Sequence, residues 1–434
     1  WPACAVFHED RLVFGGPPDN PQRLDASNTG DYENFAPSAA DGTIGAANTF
    51  AVPLNSNDVN AIRWMVSDER GLLVGTSGGE WIVRPTTTGE ALSALNSKAI
   101  QASSLGSANI NATKARKATL FVQASGRKVY DVKYEYTIDG LEPDDLTEIS
   151  EHITSPGLVE TQFQQEPHSI LWMPRTDGQL VGLTYNRKTE SLRAGWHRHI
   201  LGGYSNAAQD EPAVVESVAV IPEPNGRYDE LWLLVRRYIN GATVRYVEYM
   251  EKFYDVTVAQ EDCFFVDSGL TYDGSPTASV TGLSHLEGQT VSVLADGAPQ
   301  PDVVVTGGAI TLPQKASKIH VGLPFRPRGQ LLRTEAGSAE GAALGKTRRV
   351  HKVDFLVDRS LGLNVGRTFD RMDPVPFRLT SDLMGVRVPL YTGIVEVDFD
   401  GDWDLNGTVC FEQDQPLPIC VLAVMLHMET QDGG

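Results

Sequence analysis

Along the first 258 or so residues, a short apolar strand, a turn carrying charge or glycine, and a second strand recur in that order. The pattern occurs at Ala5–Gly15, at Ile62–Val66 with Gly71–Gly75 and Glu80–Val83, and at Ala118–Val122 with Lys128–Val132. It returns at Ile170–Met173 with Gly178–Tyr185, and at Val215–Ile221 with Glu230–Val235, closing on Val244–Met250. Placed on one central leucine per unit (Leu12, Leu72, Leu120, Leu180, Leu231), the units recur every 48 to 60 residues. Short strands at that period are what the blades of a β-propeller give. Their β-branched and aromatic content suits a half-buried pleated surface. The turns Ala124–Arg127 and Arg175–Gly178 put glycine where a hairpin needs a positive φ. No segment sustains a helical period, and Asp144–His152 predicts one short helical turn at most. Residues 1–258 therefore predict a propeller-like domain with about five visible blade units.

The texture changes around Val256–Asp262. Residues 259–325 hold short strands at Phe264–Asp267, Val291–Ala295, Val303–Val305, Ala309–Leu312 and Lys318–Gly322. The turns between them are dense in Gly, Asp and Pro: Asp273–Pro276, Asp296–Pro299 and Thr306–Gly308. This predicts a small β-barrel or sandwich module. After a flexible loop at Glu335–Lys346, residues 326–434 resume strands at Arg349–Val357, Ile394–Phe399, Thr408–Glu412 and Ile419–Met428. They form a third, C-terminal β domain, whose closing apolar strand must be buried against something. The fold class expected is all-β throughout.

Composition adds to this picture in three places. Glycine (41) and proline (25) are slightly frequent without a period, which means many tight turns. The longest apolar run, Ile419–Leu426, is eight residues, the length of a buried strand and far short of a membrane-spanning helix, so no membrane span is expected. A formal charge of −20 argues against a protein that grips nucleic acid through its phosphates. Solubility explains that charge, and so does an acidic channel wall along which DNA slides without sticking. The chain opens at Trp1 without an initiator Met or a signal-peptide pattern, and reads as a piece of a longer protein lacking its N-terminal portion. Cys4, Cys263, Cys410 and Cys420 form no CxxC. They read as buried reduced thiols folded in a cytosolic environment, with Cys410 and Cys420 facing each other across a hairpin as the alternative.

Several motifs resemble chemistry without completing it. Gly341–Thr347 has three residues where a phosphate loop needs four before its Gly-Lys pair. Asp402, Asp404, Asn406 and Gly407 match the first half of a calcium loop, but position twelve is Gln413, so an acidic hairpin turn is expected. His197 and His199 share one face of a strand, half of a metal site at best, and read as residues exposed at a blade edge. Ser67–Gly71 and Thr176–Gly178 are fragments of the turn that sialidase blades carry, without its Trp. No GxSxG, HExxH or Cys/His arrangement occurs, and no pair of carboxylates stands out for glycosidase work. No catalytic, cofactor-binding or metal residues are assigned, no cofactor is expected, and the chain is read as a non-enzyme.

Three blocks carry a family resemblance. Phe7–Gly16 with Asn20–Gln22 and Thr29–Phe35 resembles the propeller region of phage and prophage tail proteins. Val266–Gly274, Gly282–Gly288, Val293–Gly297 and Lys318–Pro324 resemble the small β module of that family, sometimes labelled after a catalytic-cysteine half-domain of ubiquitin-activating enzymes. Arg359–Leu363, Phe369–Arg371 and Gln415–Cys420 resemble its C-terminal part. The family is that of tail nozzle, hub or packaged-DNA stabilisation proteins of short-tailed phages. The resemblance implies a structural virion protein of the phage tail, assembled in the host cytoplasm as a homo-hexamer. It also implies neighbours such as the portal, adaptor and fibres, and DNA passing through at ejection without specific binding. The enzyme-derived label does not carry over, since Cys263 lacks a cysteine-activating context. Two further readings from other classes are a receptor- or glycan-binding propeller module at a tail tip, and a propeller glycoside hydrolase.

Overall fold

The structure, a computed structural model, describes residues 1–56, 58–87, 89–135, 140–188, 191–255, 257–335, 345–378, 380, 382–383 and 386–431. The chain forms two compact units. The first takes in Trp1–His199, Val214–Val235 and Tyr246–Met250, the second Ile200–Ala213, Arg236–Arg245 and Glu251–Gly434. Most of the loop predicted at Glu335–Lys346, and with it most of the phosphate-loop lookalike, lies outside the described residues.

Five antiparallel sheets follow one another in chain order, the first four in the first unit and the fifth divided between the two units. Strands β1 (Cys4–His8), β2 (Arg11–Gly15), β3 (Arg23–Ala26) and β4 (Phe50–Pro53) make the first sheet. The second is β5 (Ile62–Asp68), β6 (Gly71–Thr76), β7 (Gly79–Pro85) and β8 (Ser97–Ser103). The third is β9 (Thr113–Ala115), β10 (Ala118–Val122), β11 (Val129–Glu135) and β12 (Gly140–Asp145). In the fourth, β13 (Gln162–Gln164), β14 (Ile170–Pro174), β15 (Leu180–Lys188) and β16 (Ser191–His199) pair in order. The fifth has three strands, β17 (Val214–Pro222), β18 (Asp229–Ile239) and β19 (Ala242–Tyr249). Each sheet is a meander of successive strands, the construction of a propeller blade. The one α-helix among the described residues is Glu151–Thr154, which overlaps only the last two residues of the Asp144–His152 span predicted for a helical turn. Gly126 (φ 72°) and Gly178 (φ 85°) close their hairpins with positive φ, as the turn chemistry requires.

Each sheet packs on the next, first on second through to fourth on fifth. The cores show the order. Val13, Leu24 and Val52 of the first sheet meet Leu72, Val74, Trp81 and Val83 of the second. The opposite face of the second sheet, Trp64, Leu73 and Ile82, meets Phe121, Tyr130 and Val132 of the third. Leu120, Val122 and Val129 then face Leu171, Met173, Val181 and Leu183 of the fourth. A strand covered on both faces must be apolar at every position, and β6, β10 and β14 are buried throughout. In the first and fifth sheets, β2 and β18 alternate buried and half-buried positions. One equivalence read from the sequence shifts: Leu180 lies on the third strand of its sheet, not the second. The first strand of that sheet, β13, is three residues long with a glutamine at each end, and gave no apolar signal.

In the second unit, β20 (Asp267–Thr281), β21 (Thr290–Ala295), β22 (Ala298–Val304) and β23 (Ala309–Leu323) pair in the order β20-β23-β21-β22. Four strands stand where five short ones were predicted: Ala309–Leu312 and Lys318–Gly322 are parts of the one strand β23, and of Phe264–Asp267 only Asp267 lies in a strand. Asp273–Pro276 is a register shift inside β20 instead of a turn, because a bulge accommodates its glycine and proline without ending the strand. The other two turns form as expected, with Asp296 (φ 46°) and Gly297 (φ 76°) in one and Gly307 (φ 62°) and Gly308 (φ 70°) in the other. Beyond them lie β24 (Arg328–Gln330), β25 (Thr347–Ser360), β26 (Leu363–Thr368), β27 (Arg371–Pro374), β28 (Tyr391–Asp398), β29 (Cys410–Gln413) and β30 (Val421–Gln431). They make two sheets, β24-β29-β26-β27 and β28-β25-β30. Phe355, Val357, Leu363, Val365 and Val409 form their common core. Strand β30 is an edge strand, and it is not buried as predicted. Val421, Val424, Leu426 and Met428 face the core while Leu422 and Met425 are exposed.

Candidate functional sites

The first block of the family resemblance is a clamp. Glu9 (φ 44°) and Asp10 (φ 59°) form the two-residue turn between β1 and β2. Arg11, 3% exposed, sends its guanidinium into the following loop. There it donates to the carbonyls of Ser27 (2.5 Å), Ala46 (2.6 Å) and Asn48 (2.9 Å) and lies over the Phe50 ring. The Asp10 carboxylate accepts from the Tyr32 hydroxyl at 2.7 Å, and Glu9 accepts from the Leu92 amide at 2.6 Å. Phe7 meets Tyr32 edge-on and Phe14 stacks on Phe35. Every polar group of the turn holds a loop in place.

The second block is built in the same manner. Asp296 accepts from the amides of Ser317 and Lys318, Glu287 from those of Gly307 and Gly308, and the Lys318 ammonium reaches Asp262. The His320 ring bridges the Thr271 hydroxyl and the Glu261 carbonyl. Cys263 is 1% exposed, and burial pushes its thiol up to about 11, the opposite of what a reactive cysteine needs. In the third block, Arg359 donates to the carbonyls of Asp255 and Val258 and lies over Tyr254.

His197 and His199 do share a face of β16, as the sequence predicted, but they are half-buried instead of exposed. Both rings stand edge-on to the buried Trp172, and His197 Nδ1 lies 2.7 Å from His199 Nε2. His197 Nε2 also contacts the Thr184 hydroxyl at 3.2 Å. Burial lowers both pKa values, that of His199 to about 4. No group of three or more metal-ligating side chains occurs among the described residues.

A gathering of Tyr, Arg and acid in the first unit escaped sequence reading, since its members lie on two different sheets. Asp131 of β11 is fully buried and accepts from the Tyr185 hydroxyl and from Arg187 Nε, each at 2.7 Å. Arg187 also donates to Asp144 at 2.6 Å. Burial raises the Tyr185 pKa, with the hydrogen bond to Asp131 adding to it, so the hydroxyl is held protonated. These groups pin the third sheet to the fourth.

Elsewhere the lookalikes resolve into turns. Asp404 Oδ1 accepts from the amides of Asn406 and Gly407, while Asp402 pairs with Arg367, so both carboxylates of the calcium-like loop are engaged within the chain. Asp177 is clamped by Arg175 across its own hairpin. Asp68 pairs with Lys114 at 3.5 Å. All four cysteines are free, Cys410 buried and Cys420 exposed, so they are not joined across a hairpin. No helix among the described residues is long and apolar enough to cross a membrane.

No family model and no curated protein matches this chain. Among solved structures, it is similar to the β-propeller domain of Cps50 (Swd1) from Myceliophteria thermophila, at 8% identity and a TM-score of 0.28, over 56% of this chain and 70% of that one. It is also similar to a Lactobacillus plantarum protein, at 10% identity and a TM-score of 0.31, over 72% of this chain and 85% of that one.

Proposed function

We propose that this chain is a structural virion protein, a nozzle or hub subunit of a short-tailed phage. It assembles into a homo-hexamer through which DNA leaves the particle, beside portal, adaptor and fibre proteins. The observation that carries this reading is the Glu9–Asp10–Arg11 clamp with its counterparts around Asp296 and Arg359. The residues that carry the family resemblance are the ones that fix loops and turns, as befits a protein whose product is a shape. A net charge of −20 supports the conduit, because an acidic wall repels the phosphates of passing DNA.

The hydrolase reading has one specific observation in its favour, the meeting of Tyr185, Asp131 and Arg187. A tyrosine nucleophile needs a lowered pKa and an open approach, and Tyr185 is buried with its pKa raised. Two measurements test the nozzle. Negative-stain electron microscopy of the concentrated protein is expected to give ring-shaped class averages with six-fold symmetry. Fluorescence anisotropy with a labelled duplex at low salt is expected to show no binding. Micromolar duplex affinity, or isolated single subunits at every concentration, would refute the reading.

A further inference from the structure

We propose that Ser67 is a nucleophile, with His8 as its base and Lys114 beside it, and that this site hydrolyses short-chain carboxylic esters. The proposal stands apart from the nozzle reading, and neither depends on the other.

The three residues come from the first strands of three successive sheets. His8 closes β1, Ser67 and Asp68 close β5, and Lys114 is the middle residue of β9. Strand β1 lies against β5, and that packing brings His8 Nδ1 to 2.8 Å from the Ser67 hydroxyl. Lys114 Nζ donates to the Ser67 carbonyl at 3.2 Å and pairs with Asp68 at 3.5 Å. His8 is 4% exposed and Ser67 only half-buried, so the hydroxyl can be approached while the imidazole is shut from water.

A serine hydroxyl is a poor nucleophile until a neighbouring base takes its proton. A histidine kept only to tie two strands together gains nothing from a second ring nitrogen left without a partner. Here Nε2 is buried with no hydrogen bond, and a Glu9 carboxylate oxygen stands 4.0 Å from it. Leaving such an atom unpaired costs about 1–3 kcal/mol, and buried groups of that kind call for a functional account. With Nδ1 accepting from Ser67, Nε2 carries the hydrogen and faces the carboxylate. The Leu92 amide, donating at 2.6 Å, holds Glu9 in place. When the ring takes the serine proton, the imidazolium forms beside a counter-charge already fixed. At rest the ring is neutral: burial lowers its pKa and Lys114 adds to that, against the opposite pull of Glu9 and Asp68.

In the first half-reaction Ser67 Oγ bonds to the ester carbonyl carbon and its proton passes to His8 Nδ1. The bond from that carbon to the alcohol oxygen then breaks, and the departing oxygen takes the proton. In the second half, water attacks the acyl-serine and gives a proton to His8, which returns it to Ser67 as the carboxylic acid leaves. Lys114, held at Ser67, is the cation that meets the oxyanion of both halves. The half-buried position of the hydroxyl restricts the acyl group to a short chain.

The test is labelling with a fluorophosphonate, mapped by peptide mass spectrometry, alongside turnover of p-nitrophenyl acetate. Wild type is expected to be labelled at Ser67 and to turn the ester over, and Ser67→Ala to lose both. His8→Gln is expected to slow labelling about a hundredfold or more, and Lys114→Met to lower kcat with KM little changed. The wild-type rate should rise with pH and pass half its plateau below about pH 6.5, the ordinary histidine value. Far-UV circular dichroism checks folding, and if His8→Gln does not fold, Lys114→Met carries the test alone. No label at Ser67 would overturn the proposal. So would labelling that is no slower in whichever of the two variants folds, which would leave the hydrogen bond as a tie between the first two sheets.

Discussion

Arg11 shows how much a single side chain organises here. Its sequence neighbours mark a resemblance, yet its partners are three carbonyls between Ser27 and Asn48, which no local pattern discloses. Arg11→Met leaves those carbonyls without a donor in a buried place, and is expected to cost about 2–4 kcal/mol in urea denaturation. Tyr185→Phe removes one hydrogen bond to a buried carboxylate and is expected to cost about 1–3 kcal/mol by the same measurement. The histidine pair was half legible. Strand alternation placed both rings on one face, but the Trp172 they stand against comes from β14, which spacing does not reveal. Burial holds both rings below the ordinary histidine pKa, so the folded state takes up fewer protons than the unfolded chain. Their stabilising contribution is whole above about pH 6.5 and is lost as pH falls toward 4, where His199 takes its proton. The melting temperature should fall across that window. His197→Gln with His199→Gln should flatten the slope, leaving what His8 and His320, also lowered by burial, contribute. A slope unchanged in the double variant would clear the pair of responsibility.

At the level of strands, three pairings share one device. Trp64 lies opposite Gly75, His197 opposite Gly182, and Phe411 opposite Gly329. In each, a ring fills the space a side chain would take: a Cβ on any of these glycines would sit 2.1 Å from the ring. An aromatic laid over a cross-strand glycine fixes register while removing a weak spot in the ladder. Gly75→Ala is therefore expected to cost about 1–3 kcal/mol by displacing the Trp64 ring. Its signature is a change in tryptophan fluorescence alongside a lower urea midpoint. The inner strands were legible because burial on both faces demands unbroken apolar runs. The outer strands were not: Ser97–Ser103 and Ser191–His199 are polar or mixed, and sheet edges favour such residues. Their positions follow from the neighbour they pair with, which is a long-range fact.

For the whole molecule, period and turn chemistry were enough to indicate an all-β chain with five blade-like units. Which face of each unit meets its neighbour was not readable, because it depends on how successive sheets lie on one another. That order of stacking bears on how the chain comes into being. Each sheet of the stack is closed by strands adjacent in sequence, and it packs on the sheets made just before and just after it. A ribosome releasing the chain from its N-terminal end thus delivers each sheet onto a surface already formed, and folding can keep pace with synthesis. At every pause the newest sheet is left with one oily side bare, until the next arrives to cover it.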